Sequence, residues 1–181
     1  MNWGLFDIKI PKKNVSTLSE IIENNIQDDS KLWWSQERQE HLFDQMSSSH
    51  QSILKSMASG EGYSYGTVFR RTRKGKSMAE LRTDGVAGCL RTPWGGSSKQ
   101  ILIRVGNCGW KVRLLTPREY ARLQGVRENF MLPENANEGY FAMGDAVCVP
   151  VINFLSENVI TPTYRACDES VSFPDVLPRC Q

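Results

Sequence analysis

The stretch Leu114 to Gly125, Leu-Leu-Thr-Pro-Arg-Glu-Tyr-Ala-Arg-Leu-Gln-Gly, constrains its own backbone more tightly than any other part of the chain. Thr116 precedes a proline and stands three residues before Glu119. The hydroxyl and the carboxylate of such a pair each accept from a backbone N–H that the first helical turn leaves unpartnered, and proline at the first helical position gives up no hydrogen bond. Gly125 then supplies a left-handed exit. The spacing predicts a helix of about two turns, pinned at both ends, with Leu115, Tyr120 and Leu123 forming its buried stripe.

Charge is unevenly spread along the chain. The net charge is only +2, yet residues 63 to 113 hold eleven basic residues against Glu80 and Asp84. The rest of the chain carries 11 basic and 18 acidic residues and is therefore negative. A basic segment inside an otherwise acidic chain suits a polyanionic partner, or else forms a solvated face. Five cysteines at irregular spacing, with no Cys-x-x-Cys, indicate neither a disulfide framework nor a zinc site, so reduced thiols are expected. The two histidines, His41 and His50, have no metal-like neighbours in the sequence, and no metal is expected. No apolar run approaches the ~18 residues of a spanning helix or the pattern of a signal peptide. A soluble, cytoplasmic protein without membrane contact is expected.

Residues 1 to 61 read as a helical part. After an extended lead-in ending at Pro11-Lys12-Lys13, Thr17 and Glu20 form a second capping box, with Leu18, Ile21 and Ile22 at helical spacing and Asn24-Asn25 as a stop. Trp33, Trp34, Leu42, Phe43 and Met46 predict a helix over about 35 to 47, and Ile53, Leu54 and Met57 one over about 50 to 58. Gly60-Glu-Gly62 ends this pattern. From Tyr63 the apolar residues alternate, predicting a β-rich part over 62 to 113, with strands from Tyr63, over Met78 to Arg82 and over Gln100 to Val105. Arg70, Arg71, Arg73, Lys74 and Lys76 read as a basic loop around Gly75.

Between the last two strands lies Gly88-Cys-Leu-Arg-Thr-Pro-Trp-Gly-Gly-Ser-Ser-Lys99. Glycines let backbone approach a ligand closely; Arg91, Thr92, Ser97, Ser98 and Lys99 offer donors to phosphates and base edges, and Trp94 offers a stacking face. Together with Arg70, Arg71, Arg73 and Lys74 these are the candidate nucleic-acid-contacting residues.

About twenty residues beyond Gly125 comes Gly144-Asp-Ala-Val-Cys-Val-Pro-Val151, opening an apolar run with Val147, Val151, Phe154 and Leu155 on a helical stripe. Asp145 reads as its N-cap. The earlier block, Leu115 to Gly125, and this one resemble, in order and spacing, the last two blocks of DNA cytosine-5 methyltransferases, the second usually written Gly-Asn-Ala-Val-x-Val-Pro-Val. The likeness is tight over residues 110 to 156 and looser from 62 to 109. It implies that Thr116, Glu119, Arg122, Gln124 and Gly125 form a structural family block, and that 62 to 113 belong to a target-recognition domain reading duplex DNA. The family commonly has a Thr and an aliphatic residue in that domain, a place for Cys89-Leu90 or Arg91-Thr92. It also implies that Asp145 and Ala146 lie beside the amino-acid end of S-adenosylmethionine. The family has Asn where Asp145 stands; a carboxylate suits the donor's ammonium and is poorly matched to its carboxylate.

Methylating cytosine at C5 takes a flipped-out base, a thiolate attacking C6, a carboxyl group at N3 and a bound methyl donor. In the family these reside in a Pro-Cys loop, a Glu-Asn-Val motif and a glycine-rich loop. These residues contain no Pro-Cys, and Glu157-Asn-Val159 follows the final block, out of place for the acid motif. The resemblance therefore implies the C-terminal half of such an enzyme, inactive without a complementary polypeptide carrying the catalytic half. A stand-alone DNA-binding module or a non-catalytic remnant is the alternative. The expected fold is α+β: a small target-recognition sheet with basic loops, N-terminal helices, and C-terminal helices over 114 to 161 that would pack on a Rossmann-like domain. Unpaired, Leu123, Phe154 and their neighbours would leave an apolar patch favouring self-association. The tail, 162 to 181, carries no readable signal.

Overall fold

A computed structural model describes residues 8–9, 16–60, 62–73, 75–94, 99–106 and 109–170, with side chains as far as 165. Lys74, Ser97, Ser98, Cys108, most of the lead-in and the end of the tail lie outside the described residues. The chain forms two compact units, one of residues 15–147 and one of residues 148–181 with 1–14. The division falls between Val147 and Cys148, inside the second family block.

The larger unit runs α1 (Leu18–Ile21), α2 (Gln36–Asp44), α3 (Ser48–Ala58), β1 (Ser64–Arg73), β2 (Lys76–Arg82), β3 (Ile101–Gly106), β4 (Gly109–Leu114), α4 (Pro117–Leu123) and α5 (Ala136–Asp145). The strands form one antiparallel sheet in the order β2-β1-β3-β4. This is the expected α+β class. The expected helix over 35 to 47 stops at Asp44 because Ser47 caps a new one, its side chain accepting from His50 N–H at 3.3 Å. The turn between them guards the sheet edge: Ala79 N–H donates to Gln45 O at 3.0 Å and Leu81 N–H to His50 Nδ1 at 3.3 Å.

Period-two alternation on β3 builds both cores. Ile101, Ile103 and Val105 pack with Val68, Leu81 and Val112 beneath Leu42 and Leu54 of α2 and α3. Leu102 points the other way, into a cluster of Leu18, Tyr120, Tyr140 and Met143 from α1, α4 and α5, with Leu115 from the link before α4. Leu123 is half-buried against this second cluster, so it belongs to the stripe and not to an exposed patch.

Three expectations need correcting. Arg70 to Arg73 are strand residues, and Arg73 pairs directly with Lys76, so these arginines belong to β1 and not to a loop. β4, absent from the expected strands, alternates Trp110, Val112 and Leu114 with Lys111 and Arg113, a period-two pattern that its sequence does carry. Asp145 is no N-cap: it ends α5, a helix begun at Ala136 and capped by Asn135, and the following helix starts after Cys148 without a side-chain cap.

The smaller unit contains α6 (Val149–Leu155), a π-helical turn at Ser156–Ile160 and α7 (Thr161–Ser170). Pro150 falls in the first turn of α6, where it is tolerated. Val149, Val151, Ile152, Leu155 and Ile160 are exposed. By length and composition Ala136–Arg165 is apolar enough to cross a membrane, but extended residues at 146–148 interrupt the helix. One such segment is weak evidence for a membrane protein.

Candidate nucleic-acid interface

The capped helix α4 is the anchor of the candidate site. Thr116 Oγ1 accepts from Glu119 N–H at 3.2 Å while Glu119 accepts from Thr116 N–H at 2.7 Å, the expected reciprocal box, and Gly125 takes φ 72°. The sequence did not reveal what else Glu119 does. It is fully buried, it receives Arg113 Nη1 and Nη2 at 2.7 and 2.6 Å, and it accepts Glu23 N–H at 2.8 Å. A buried carboxylate with this many donors is satisfied, and the pair locks β4 to α4. Arg122 donates to Ile21 O at 2.8 Å and to Glu128 at 2.7 Å, a bond that holds the Glu128 carboxyl below its usual range.

From α4 the order passes to the long segment between β2 and β3. Tyr120 Oη accepts Gln100 N–H at 2.6 Å. The buried Gln100 side chain then accepts Gly88 N–H at 3.1 Å and donates to Cys89 O at 3.2 Å. Farther along, Gly144 on α5 meets the same segment: a β-carbon there would lie 2.7 Å from the Arg91 carbonyl carbon. Only glycine lets the helix come this near.

These contacts hold one wall of an open groove of about 900 Å³ lined by Arg70, Arg71, Arg91, Thr92, Trp94 and Gly144 among others. Five of the ten sequence-predicted DNA-contacting residues are thus brought together. Trp94 is 79% exposed and meets Phe141 of α5 edge-on at 5.4 Å. Arg73 lies outside the groove lining, ion-paired with Glu80 at 3.2 Å. Lys99 donates to Asn137 Oδ1 at 2.8 Å and lines a smaller neighbouring pocket. Lys74, Ser97 and Ser98 fall outside the described residues.

Much of the basic segment is neutralised internally. Arg71 and Arg73 share Glu80, Arg104 and Lys111 share Asp28, and Arg113 is buried with Glu119. Arg82 also lines the groove, but Asp84 holds it through two bonds of 2.7 and 2.8 Å; these push the Asp84 carboxyl below its ordinary range and raise the guanidinium. Among the described residues Arg70 and Arg91 have no carboxylate partner. Folding cancels part of the segment's charge and leaves part of it free, a distinction the raw count does not make.

Gln124 links the two family blocks. Its side-chain amide donates to Met143 O at 2.9 Å and to Ala146 O at 3.0 Å, fixing the end of α5 where Asp145 stands exposed. Glu157, by contrast, lies exposed in the π-helical turn of the smaller unit.

The model of the C-5 cytosine-specific DNA methylase family matches residues 2–161. Curated relatives include the Type II methyltransferase M.SsoII of Shigella sonnei, 28% identical over 158 residues, which cover 86% of this chain and 35% of the relative. M1.ScrFI of Lactococcus lactis subsp. cremoris is 26% identical over 165 residues, covering 88% of this chain and 35% of its own length. M.NlaX of Neisseria lactamica is 36% identical over 63 residues, covering 35% of this chain and 20% of its own. The chain spans about a third of the length of the first two, which are methyltransferases by name. With a match over most of its residues, and with both blocks folded against one another through Gln124, the chain belongs to the C-5 cytosine-specific DNA methylase family.

Proposed function

We propose that this chain is the DNA-recognition part of a cytosine-5 methyltransferase, choosing the duplex site while residues outside these 181 supply the bond-making chemistry. The observation that carries the reading is the groove: two arginines without acidic partners among the described residues, an exposed tryptophan and a segment buttressed by Gly144 of the second family block. Arg91 and Thr92 would reach base edges, Arg70 and Arg71 would meet phosphates, and Trp94 would stack on a base or sugar. An interface of this kind supplies both sequence-independent attraction and discrimination between bases.

Methyl transfer needs a thiolate nucleophile, and no Pro-Cys dipeptide occurs in these residues. The chain alone would therefore transfer no methyl group, and would act with a complementary polypeptide or segment carrying the catalytic cysteine. The methyl donor, S-adenosylmethionine, supplies an electrophilic methyl group when bound. Asp145, exposed at the carboxyl end of α5, suits the donor's ammonium, since a carboxylate and a helix C-terminus both favour positive charge. Neither it nor the Ala146 carbonyl, already engaged by Gln124, offers a hydrogen to the donor's carboxylate. Asp145 and Ala146 would thus hold one end of the donor, the rest falling to the catalytic portion. The exposed apolar residues of α6 would dock there, and would drive self-association when it is missing.

The test is selection from a randomised duplex pool, followed by a methyl-transfer assay with labelled donor. Enrichment of a defined sequence together with no transfer by the chain alone is expected. Transfer by the chain alone, or recovery of unselected DNA only, overturns the reading.

A further inference from the structure

Beside the groove, α2 and β1 bring two more features together that the family blocks do not touch. Trp34 is buried, and its indole is approached by two guanidinium groups: Arg38 of α2 at 3.8 Å from the ring centroid and Arg70 of β1 at 5.6 Å. Cation–π attraction accounts for each arginine alone. It does not account for two like charges at one ring with no acid between them. Among the described residues neither forms an ion pair or a side-chain hydrogen bond, and the buried Nε of Arg70 has no partner. Burial first, and the neighbouring Arg38 charge second, push the Arg70 guanidinium below its ordinary value. An arginine stays charged regardless, so the repulsion, screened by water on the exposed Arg38 side, is lowered further by an anion.

The two arginines line a common pocket. A pocket of about 360 Å³ is lined by Trp34, Arg38, Arg70, Lys99 and Asn137 among others, with three cations and no carboxylate among the described residues of its lining. Arg70 lines both this pocket and the larger groove, so the two are neighbours across a single side chain. A planar, five-donor guanidinium matches a phosphate's oxygens, and two of them with a lysine form a site for a compact anion of tetrahedral shape.

We infer that Arg38 and Arg70, set against Trp34, form a clamp for one backbone phosphate of the duplex whose bases lie in the neighbouring groove. The inference rests on the DNA-recognition reading and adds to it a residue, Arg38, from the N-terminal helical part. The clamp is indifferent to sequence and fixes the register of the duplex relative to Arg91.

The experiment is duplex binding by the full chain at several salt concentrations, using a duplex of arbitrary sequence. Neutralising one phosphate accounts for about 0.9 in the slope of log K against log salt. Arg38→Gln is expected to weaken binding severalfold at low salt and to reduce the slope by as much as about 0.9, and Arg38→Lys to restore most of the slope. Thermal midpoints of the three proteins establish that each is folded. An unchanged slope in a folded Arg38→Gln protein overturns the clamp while leaving the DNA reading standing. If the unaltered chain binds no duplex even at low salt, the DNA reading fails, and the clamp with it.

Discussion

Gly144 of α5 lies so close to Thr92 that a β-carbon at residue 144 would stand 2.5 Å from the Thr92 nitrogen. The atoms met are backbone, which cannot swing aside. Gly144→Ala must therefore push the Arg91–Thr92 segment away from α5. A cost of about 1–3 kcal/mol in stability is expected from such overpacking. Duplex affinity should fall by more than stability explains, because the displaced segment is the groove wall. Comparing the denaturation midpoint with the duplex dissociation constant checks this; unchanged affinity would detach the segment from DNA binding.

Arg91 tests the groove more directly. It is exposed, lines the groove and has no carboxylate partner among the described residues. Arg91→Ala should leave the denaturation midpoint nearly unchanged and cost about 1–3 kcal/mol of discrimination between the selected site and a single-base variant. Competition binding with the two duplexes measures that difference. Equal loss on both would make Arg91 a phosphate contact.

The Arg113 and Glu119 side chains are 2% and 0% exposed and joined by bonds of 2.6 and 2.7 Å. Glu119→Gln leaves a buried guanidinium without its counter-charge and should destabilise the fold by about 3–5 kcal/mol. Replacing both partners, Arg113→Met with Glu119→Leu, should cost less than either single change, since no charge is then stranded. Chemical denaturation of the unaltered protein, Arg113→Met, Glu119→Leu and the double variant forms the cycle, and strict additivity would contradict the coupling.

Gln124→Leu removes the donor that serves two carbonyl oxygens, Met143 O and Ala146 O. Stranding partly buried acceptors costs about 1–3 kcal/mol. The loosening should be local, so hydrogen exchange at residues 144 to 146 should quicken before the sheet is affected. Uniform acceleration across β1 to β4 would instead mean that Gln124 supports the whole unit.

Alkaline pH provides a test without mutation. Burial pushes the Tyr120 phenol from 10.0 up to about 12, and burial raises Tyr140 as well. A raised folded value means that the folded state keeps a proton which the unfolded state releases, so stability is full below about pH 10 and falls as the pH rises toward 12. Tyr120 alone would account for a loss of roughly 2–3 kcal/mol over that window. Denaturation midpoints between pH 9 and 12 should decline with that slope, and Tyr120→Phe, though it removes an acceptor for Gln100 N–H, should flatten the curve.

Local chemistry was legible in the sequence by itself. The Thr116–Glu119 box, the Gly125 exit, the helices over the N-terminal part and three of the four strands follow from interactions within a few residues, and the two ordered blocks pointed to the family. Tertiary structure decided which side chains meet across elements. Arg113 can occupy a buried strand position only because Glu119 meets it from the next element, and Arg38 and Arg70 share one indole although 32 residues separate them. Which arginines remain free for an anion depends on where each carboxylate lands after folding, because charges compensate one another through space and not along the chain.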